Sequence, residues 1–147
     1  MATGFIAQAT KYNLYRLIDA TTATTAVPSA IDDGIDISGL FGTFTKIDNC
    51  VAEVWSSAGS VTMTGTFRLW GYNAITAKWF PTGTGTGAAK GTINAGAAID
   101  ETGTDLIRHA EPVYLLSCFD RVYAQCTAIG GTATALTFDL CVPREAA

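Results

Sequence analysis

Apolar and polar positions alternate with a period of two along much of this chain, most regularly toward its C-terminal end. In residues 121–129, Val122, Ala124, Cys126 and Ala128 stand against Tyr123, Gln125 and Thr127. In 132–142, Leu136, Phe138, Leu140 and Val142 stand against Thr137, Asp139 and Cys141. Successive strand side chains point to opposite faces, so each run predicts a strand with one face in a core. The Gly130–Gly131 pair between them predicts that the two form a hairpin. Residues 112–118 ("PVYLLSC") predict a more fully buried preceding strand with Pro112 as its first residue, and Phe119 and Asp120 turning into the hairpin.

Upstream, 44–55 and 61–72 flank the turn-forming "SSAGS" and predict a second hairpin, with a bulge at Gly65. Residues 12–18, 35–41, 77–81 and 91–99 predict shorter strands, and the Thr/Ala run 20–26 a loop or exposed edge. No segment carries a sustained 3.6-residue apolar stripe. The expected fold is therefore all-β: one domain spanning 1–147, an antiparallel β-sandwich of jelly-roll type. Residues 1–11 are expected as an extended arm carrying Phe5 and Ile6, and 82–96 as a long, flexible Gly/Thr loop.

Composition sharpens this. Charged residues make up 15 % of the 147 and hydrophobic ones 48 %, while threonine (22) and glycine (15) carry much of the polar and turn-forming load. Disorder would require low hydrophobicity with high net charge, so most of the chain is expected to fold. So little charge also suggests that part of the surface is covered in the working state, since interface centres are poor in charge and rich in aromatics. The net charge is −4, with four lysines and five arginines scattered singly, so no basic stripe points to nucleic acid. No apolar run approaches the roughly 20 residues of a membrane-spanning helix. The start "MATGFIAQATKYN" has no secretory-signal pattern and reads as a cytoplasmic start. Cys50, Cys118, Cys126 and Cys141 show no metal-ligand spacing. A Cys118–Cys126 pair across adjacent strands is one arrangement; buried, reduced thiols are the expected one.

Candidate chemistry is sparse. "WFPTGTGTGAAKGTINAG" (79–96) resembles a phosphate loop, but Lys90 follows Ala89 and precedes Gly91, where a P-loop needs Gly before the lysine and Ser or Thr after it. Gly83, Gly85 and Ala88 meet a loose dinucleotide pattern, yet the glycines that follow rule out the required helix. Asp32, Asp33 and Asp36 lack the spacing and closing glutamate of a calcium loop and read as an Asp-rich turn. His109 is the sole histidine and no GxSxG elbow occurs, so no nucleophile–base pair is marked; no two acids are marked as glycosidase partners. The reading is a non-enzyme without cofactor or metal. Residues with the character of a binding surface remain: Arg68, Trp70 and Tyr72 alternate with Phe67 and Leu69, followed by Trp79 and Phe80. Together with Phe5 and Ile6 these are the interface candidates, because Trp, Tyr and Arg dominate binding energy. Trp70, Tyr72 and Trp79 would alternatively form a sugar-stacking platform of a carbohydrate- or receptor-binding module.

The cadence "TFRLWGYNAITAKWFPTG" followed by "DRVYAQCTAIGGTATALTFDL" resembles small virion proteins of tailed bacteriophages, of the head decoration or cement type. The resemblance covers about the last 90 residues. It implies a structural role on the capsid surface, with the major capsid protein and copies of the chain itself, as a homotrimer, for partners, after synthesis in the host cytoplasm. It carries over no individual functional residue.

Overall fold

The computed structural model contains, among its described residues, ten strands paired in antiparallel ladders and one 3-10 turn. The described residues are 3–9, 11–21, 26–37, 50–56, 64–83, 92–95, 107–113, 119–130 and 136–143. The strands are β1 (Gly4–Gln8), β2 (Tyr12–Thr21), β3 (Ile35–Asp36), β4 (Cys50–Ser56), β5 (Thr64–Asn73), β6 (Lys78–Pro81), β7 (Thr92–Ala95), β8 (Ile107–Val113), β9 (Arg121–Gly130) and β10 (Leu136–Pro143). One sheet runs β1-β2-β10-β4-β8. The other runs β3-β9-β5-β6, with β7 also on β5.

Period-2 alternation explains how the two sheets pack. Tyr15 and Ile18 of β2, Ala52 and Val54 of β4, and Leu136, Phe138 and Leu140 of β10 face inward from the first sheet. Phe67 and Leu69 of β5 and Val122, Ala124 and Cys126 of β9 meet them from the second. Phe67 and Phe138 join the layers with ring centroids 5.5 Å apart. The all-β sandwich expected from the sequence is thus observed.

The connectivity differs from expectation. β9 and β10 do not form a hairpin: β9 pairs with β5 and β3, whereas β10 lies between β2 and β4 in the opposite sheet. Nor do β4 and β5, which also lie in different sheets. Pairing is nested instead: β2 with β10, β3 with β9, β4 with β8, and β5 with β6 and β7. Both predicted hairpin turns are therefore crossings between sheets. Each strand's apolar row is satisfied by facing the same core from either layer, so alternation alone does not choose the partner.

Smaller corrections follow. Pro112 is the penultimate residue of β8, not the first of a strand at 112–118; β8 pairs only with β4 among the described residues, and proline is tolerated on such an edge. Residues 114–118 lie outside the described residues, as do 38–49, so the strand expected at 35–41 is seen only as Ile35–Asp36. The irregularity near Gly65 is an extra residue on β9, Thr127, between Ala128 opposite Thr66 and Cys126 opposite Phe67. Residues 4–8 of the expected arm are strand β1, paired with β2, with Phe5 edge-on to Tyr15 at 5.6 Å. Cys50, Cys126 and Cys141 form no disulfide among the described residues, and Cys126 donates a long S–H bond to the Ala128 carbonyl; Cys118 lies outside the described residues.

The Gly/Thr segment is not one loop over 82–96. β6 runs along β5 from Asn73 to Trp70, and the Thr82 N–H then donates to the Leu69 carbonyl at 2.9 Å. β7 resumes in the same direction, with Thr92 opposite Arg68 and Ala95 opposite Gly65. β6 and β7 thus lie end to end along one side of β5; of the residues between them in 83–91 only Gly83, with positive φ, is among the described residues.

Candidate interaction surface

The outer row of β5 carries Thr66, Arg68, Trp70 and Tyr72, because Phe67 and Leu69 take the core side. Ladder register sets their neighbours: Gln125 is opposite Arg68, Tyr123 opposite Trp70, and both Arg121 and Trp79 opposite Tyr72. One aromatic and basic face therefore spans β6, β5 and β9. At its open end the Arg68 guanidinium lies over the Trp70 ring, 5.0 Å from the centroid. The Trp70 indole N–H donates to Gln125 Oε1 at 2.9 Å, fixing the ring although it is only half-buried.

The other end is covered by the chain itself. Tyr72 and Trp79 pack with centroids 5.1 Å apart, and Trp79 meets Tyr123 at 6.2 Å. Segment 26–34 lies across them: Trp79 Nε1 donates to the Ala30 carbonyl at 3.1 Å, and the Tyr123 hydroxyl to the Ala26 carbonyl at 2.9 Å. Arg121 donates to the Gly34 carbonyl at 3.0 Å. Gly34 sits so close to the Trp79 ring that any Cβ there would overlap it. Burial pushes the Tyr123 phenol pKa above its ordinary value, and the nearby Asp33 charge adds to this. Tyr72 is only 8 % exposed in consequence.

The 3-10 turn Ile31–Asp33 at the end of this segment is held by Asp33, whose Oδ2 accepts the amides of Ser29 (2.7 Å) and Ala30 (2.8 Å). Those hydrogen bonds lower the Asp33 pKa. The Asp-rich turn is thus built around a capping carboxylate. Among the described residues no group of three or more His, Cys, Asp or Glu is placed to hold a metal. Beneath the turn, where β2 approaches β9, a cleft of about 390 Å³ opens between Leu17, Ile18, Ile35 and Val122, with Asp19 and Asp32 beside it.

The remaining candidates lie apart. Phe80 is on the opposite side of β6 from Trp79, paired with Gly71 and 6.3 Å from Phe119. Gly71 is glycine because the Phe119 ring occupies the place of its Cβ. Phe80 stays 41 % exposed, while Phe5 (55 %) and Ile6 (39 %) are on β1 of the other sheet. His109, the sole histidine, lies on β8 with Nε2 2.9 Å from Glu111 Oε2.

Tyr123, Gln125 and Arg121 were not singled out from the sequence, although their alternation with Val122 and Ala124 already placed them on one face. The outer face of the first sheet was missed too. There Asp139 accepts Nε of Arg16 at 2.8 Å, NH2 of Arg16 at 3.1 Å and the Trp55 indole N–H at 3.0 Å. The hydrogen bond to Asp139 raises the Arg16 pKa. Cys141, next on that face of β10, has its thiol pKa pushed up to about 12 by burial and by the charges of Glu53 and Asp139. Compared with known proteins, the chain matches no family model, no curated sequence and no solved structure.

Proposed function

We propose that this chain is a non-enzymatic structural protein of a tailed-bacteriophage virion, a decoration or cement protein. It seats on the capsid surface between major capsid subunits and associates with copies of itself as a homotrimer. The observation that carries the reading is the end of the second sheet's outer face that segment 26–34 does not reach, where Arg68 and Trp70 are half-buried. Arg68 and Trp70 are residue types that dominate protein interfaces, and they are already ordered by stacking on each other and by Gln125. A contact made through them loses little side-chain freedom on docking.

The nested pairing supports a finer description of the sandwich. Rolling up one long hairpin, β2 to β5 against β6 to β10, gives the two-sheet order of a jelly roll, an architecture used by viral capsid and lectin domains. Between those two uses, the aromatic rings favour the structural one. Arg68 lies over Trp70, and Gly34 abuts Trp79, so the two indoles that would stack on a sugar are already in contact with the chain's own groups.

The test is co-sedimentation with heads lacking the protein, from the phage whose genome encodes the chain. Binding is expected to saturate at a fixed ratio to capsid subunits, and Trp70→Ala to weaken it by roughly tenfold to a hundredfold while leaving the fold intact. A protein that never sediments with heads, or that instead shows saturable glycan binding abolished by Trp70→Ala, overturns the reading.

A further inference from the structure

Two surface features are complementary in chemistry, an exposed apolar turn beside a lysine and a cleft with apolar and acidic lining. The first is the tip of the β5–β6 turn, where Ile75 is 96 % exposed. This tip is held rigidly. Asn73 Oδ1 accepts the amides of Ile75 (2.9 Å) and Thr76 (3.1 Å), and Asp120 Oδ2 accepts the amide of Ala74 (2.8 Å). Ala77 closes the turn at a φ of 53°, a left-handed conformation uncommon for alanine. The exposed ammonium group of Lys78 follows at the base of the turn. An apolar side chain presented on a rigid turn can be buried in a partner with little further loss of freedom.

The second feature is the cleft of about 390 Å³ at the edge where the two sheets meet. Ile18 and Val122, both buried, form its floor, with the partly buried Leu17 and Ile35 beside them. Three carboxylates line it. That of Asp19 lies 3.9 Å from the Arg16 guanidinium, and that of Asp33 is engaged by the amides of Ser29 and Ala30; Asp32 is exposed beside them. The volume accommodates one branched aliphatic side chain with part of its turn.

We propose that the cleft receives the β5–β6 turn of a second copy of this chain, with Ile75 on the apolar floor and Lys78 paired with Asp32. Tip and cleft are different surfaces, so the contact is heterologous; it closes into a ring where the rotation allows and otherwise propagates. The proposal rests on the self-association in the preceding reading and supplies the residues for it.

Sedimentation velocity of the full chain across the micromolar range tests this. Wild-type protein is expected to associate with increasing concentration, and Ile75→Asp to remain monomeric where wild type is assembled. Lys78→Glu and Asp32→Lys are each expected to weaken association by roughly tenfold, and the two together to restore it. All three positions are exposed, and circular dichroism confirms folding of each variant. A wild-type chain that stays monomeric, an Ile75→Asp protein that associates like wild type, or a double variant as weak as the single ones overturns the proposal. The virion reading fails separately: a chain that assembles through this contact but never binds heads removes the capsid partner and leaves the contact standing.

Discussion

Asp139 is 2 % exposed on the central strand of its sheet, yet it points away from the sandwich core. Arg16 and Trp55 reach over it from the flanking strands and supply three hydrogen bonds. A buried ion pair contributes little relative to an apolar replacement, but removing one partner leaves an uncompensated charge out of water. Arg16→Met is therefore expected to cost about 3 kcal/mol in urea unfolding, consistent with side-chain exposures of 11 % for Arg16 and 3 % for Asp139. Arg16→Met combined with Asp139→Asn should recover much of that loss, since the neutral amide still accepts from Trp55 and no bare charge remains. A double variant no more stable than Arg16→Met would show that the arginine acts through packing alone. The period-2 pattern placed Asp139 correctly on the polar row of β10. Its burial was not legible, because it comes from Arg16 and Trp55, which lie far from it in sequence and leave no local trace.

At the scale of elements, most strands that the alternation predicts do form, and what it misses is who pairs with whom. The Gly130–Gly131 pair and the "SSAGS" cluster are sound signs of chain reversal. Reversal into the same sheet and passage to the opposite one require the same turn-forming residues, however, and bury the same apolar rows. The Gly/Thr stretch illustrates a second ambiguity. Its glycines disguise two strands set end to end along β5, because β6 ends opposite Trp70 and β7 begins opposite Arg68. Removing residues 83–91 would place Thr92, opposite Arg68, directly after Thr82, which bonds to Leu69. The faces also agree: Thr82 is buried on the core side, and Thr92 would follow on the outer side with Arg68. The deletion variant is thus expected to fold, with Tm within a few degrees of wild type, because β6 and β7 would continue in register along β5. Loss of cooperative unfolding would mean that residues 83–91 themselves support the sheet.

The whole molecule carries two kinds of proposed contact, which differ in their physics. The face around Trp70 is broad and aromatic, with the Arg68 charge stacked on the Trp70 ring; the turn and cleft unite one isoleucine with a Lys78–Asp32 pair at a solvent-exposed rim. The sequence's aromatic cadence already named the residues proposed for the first. It could not find the second, since Ile75 looks like any turn residue and the cleft exists only where β2 and β9 approach across the sandwich. Salt separates the two. Exposed ion pairs are screened over a Debye length of about 10 Å at 0.1 M and about 3 Å at 1 M, whereas burial of apolar surface is not. Raising sodium chloride across that range is therefore expected to weaken self-association several-fold and to leave capsid binding within about threefold. In Lys78→Glu/Asp32→Lys protein the salt dependence of association should persist, because the pair is reversed rather than removed. In Lys78→Met/Asp32→Leu protein it should vanish, with association retained through Ile75. Capsid binding that falls as steeply with salt as self-association would instead place the capsid contact on charged groups rather than on the aromatic rings.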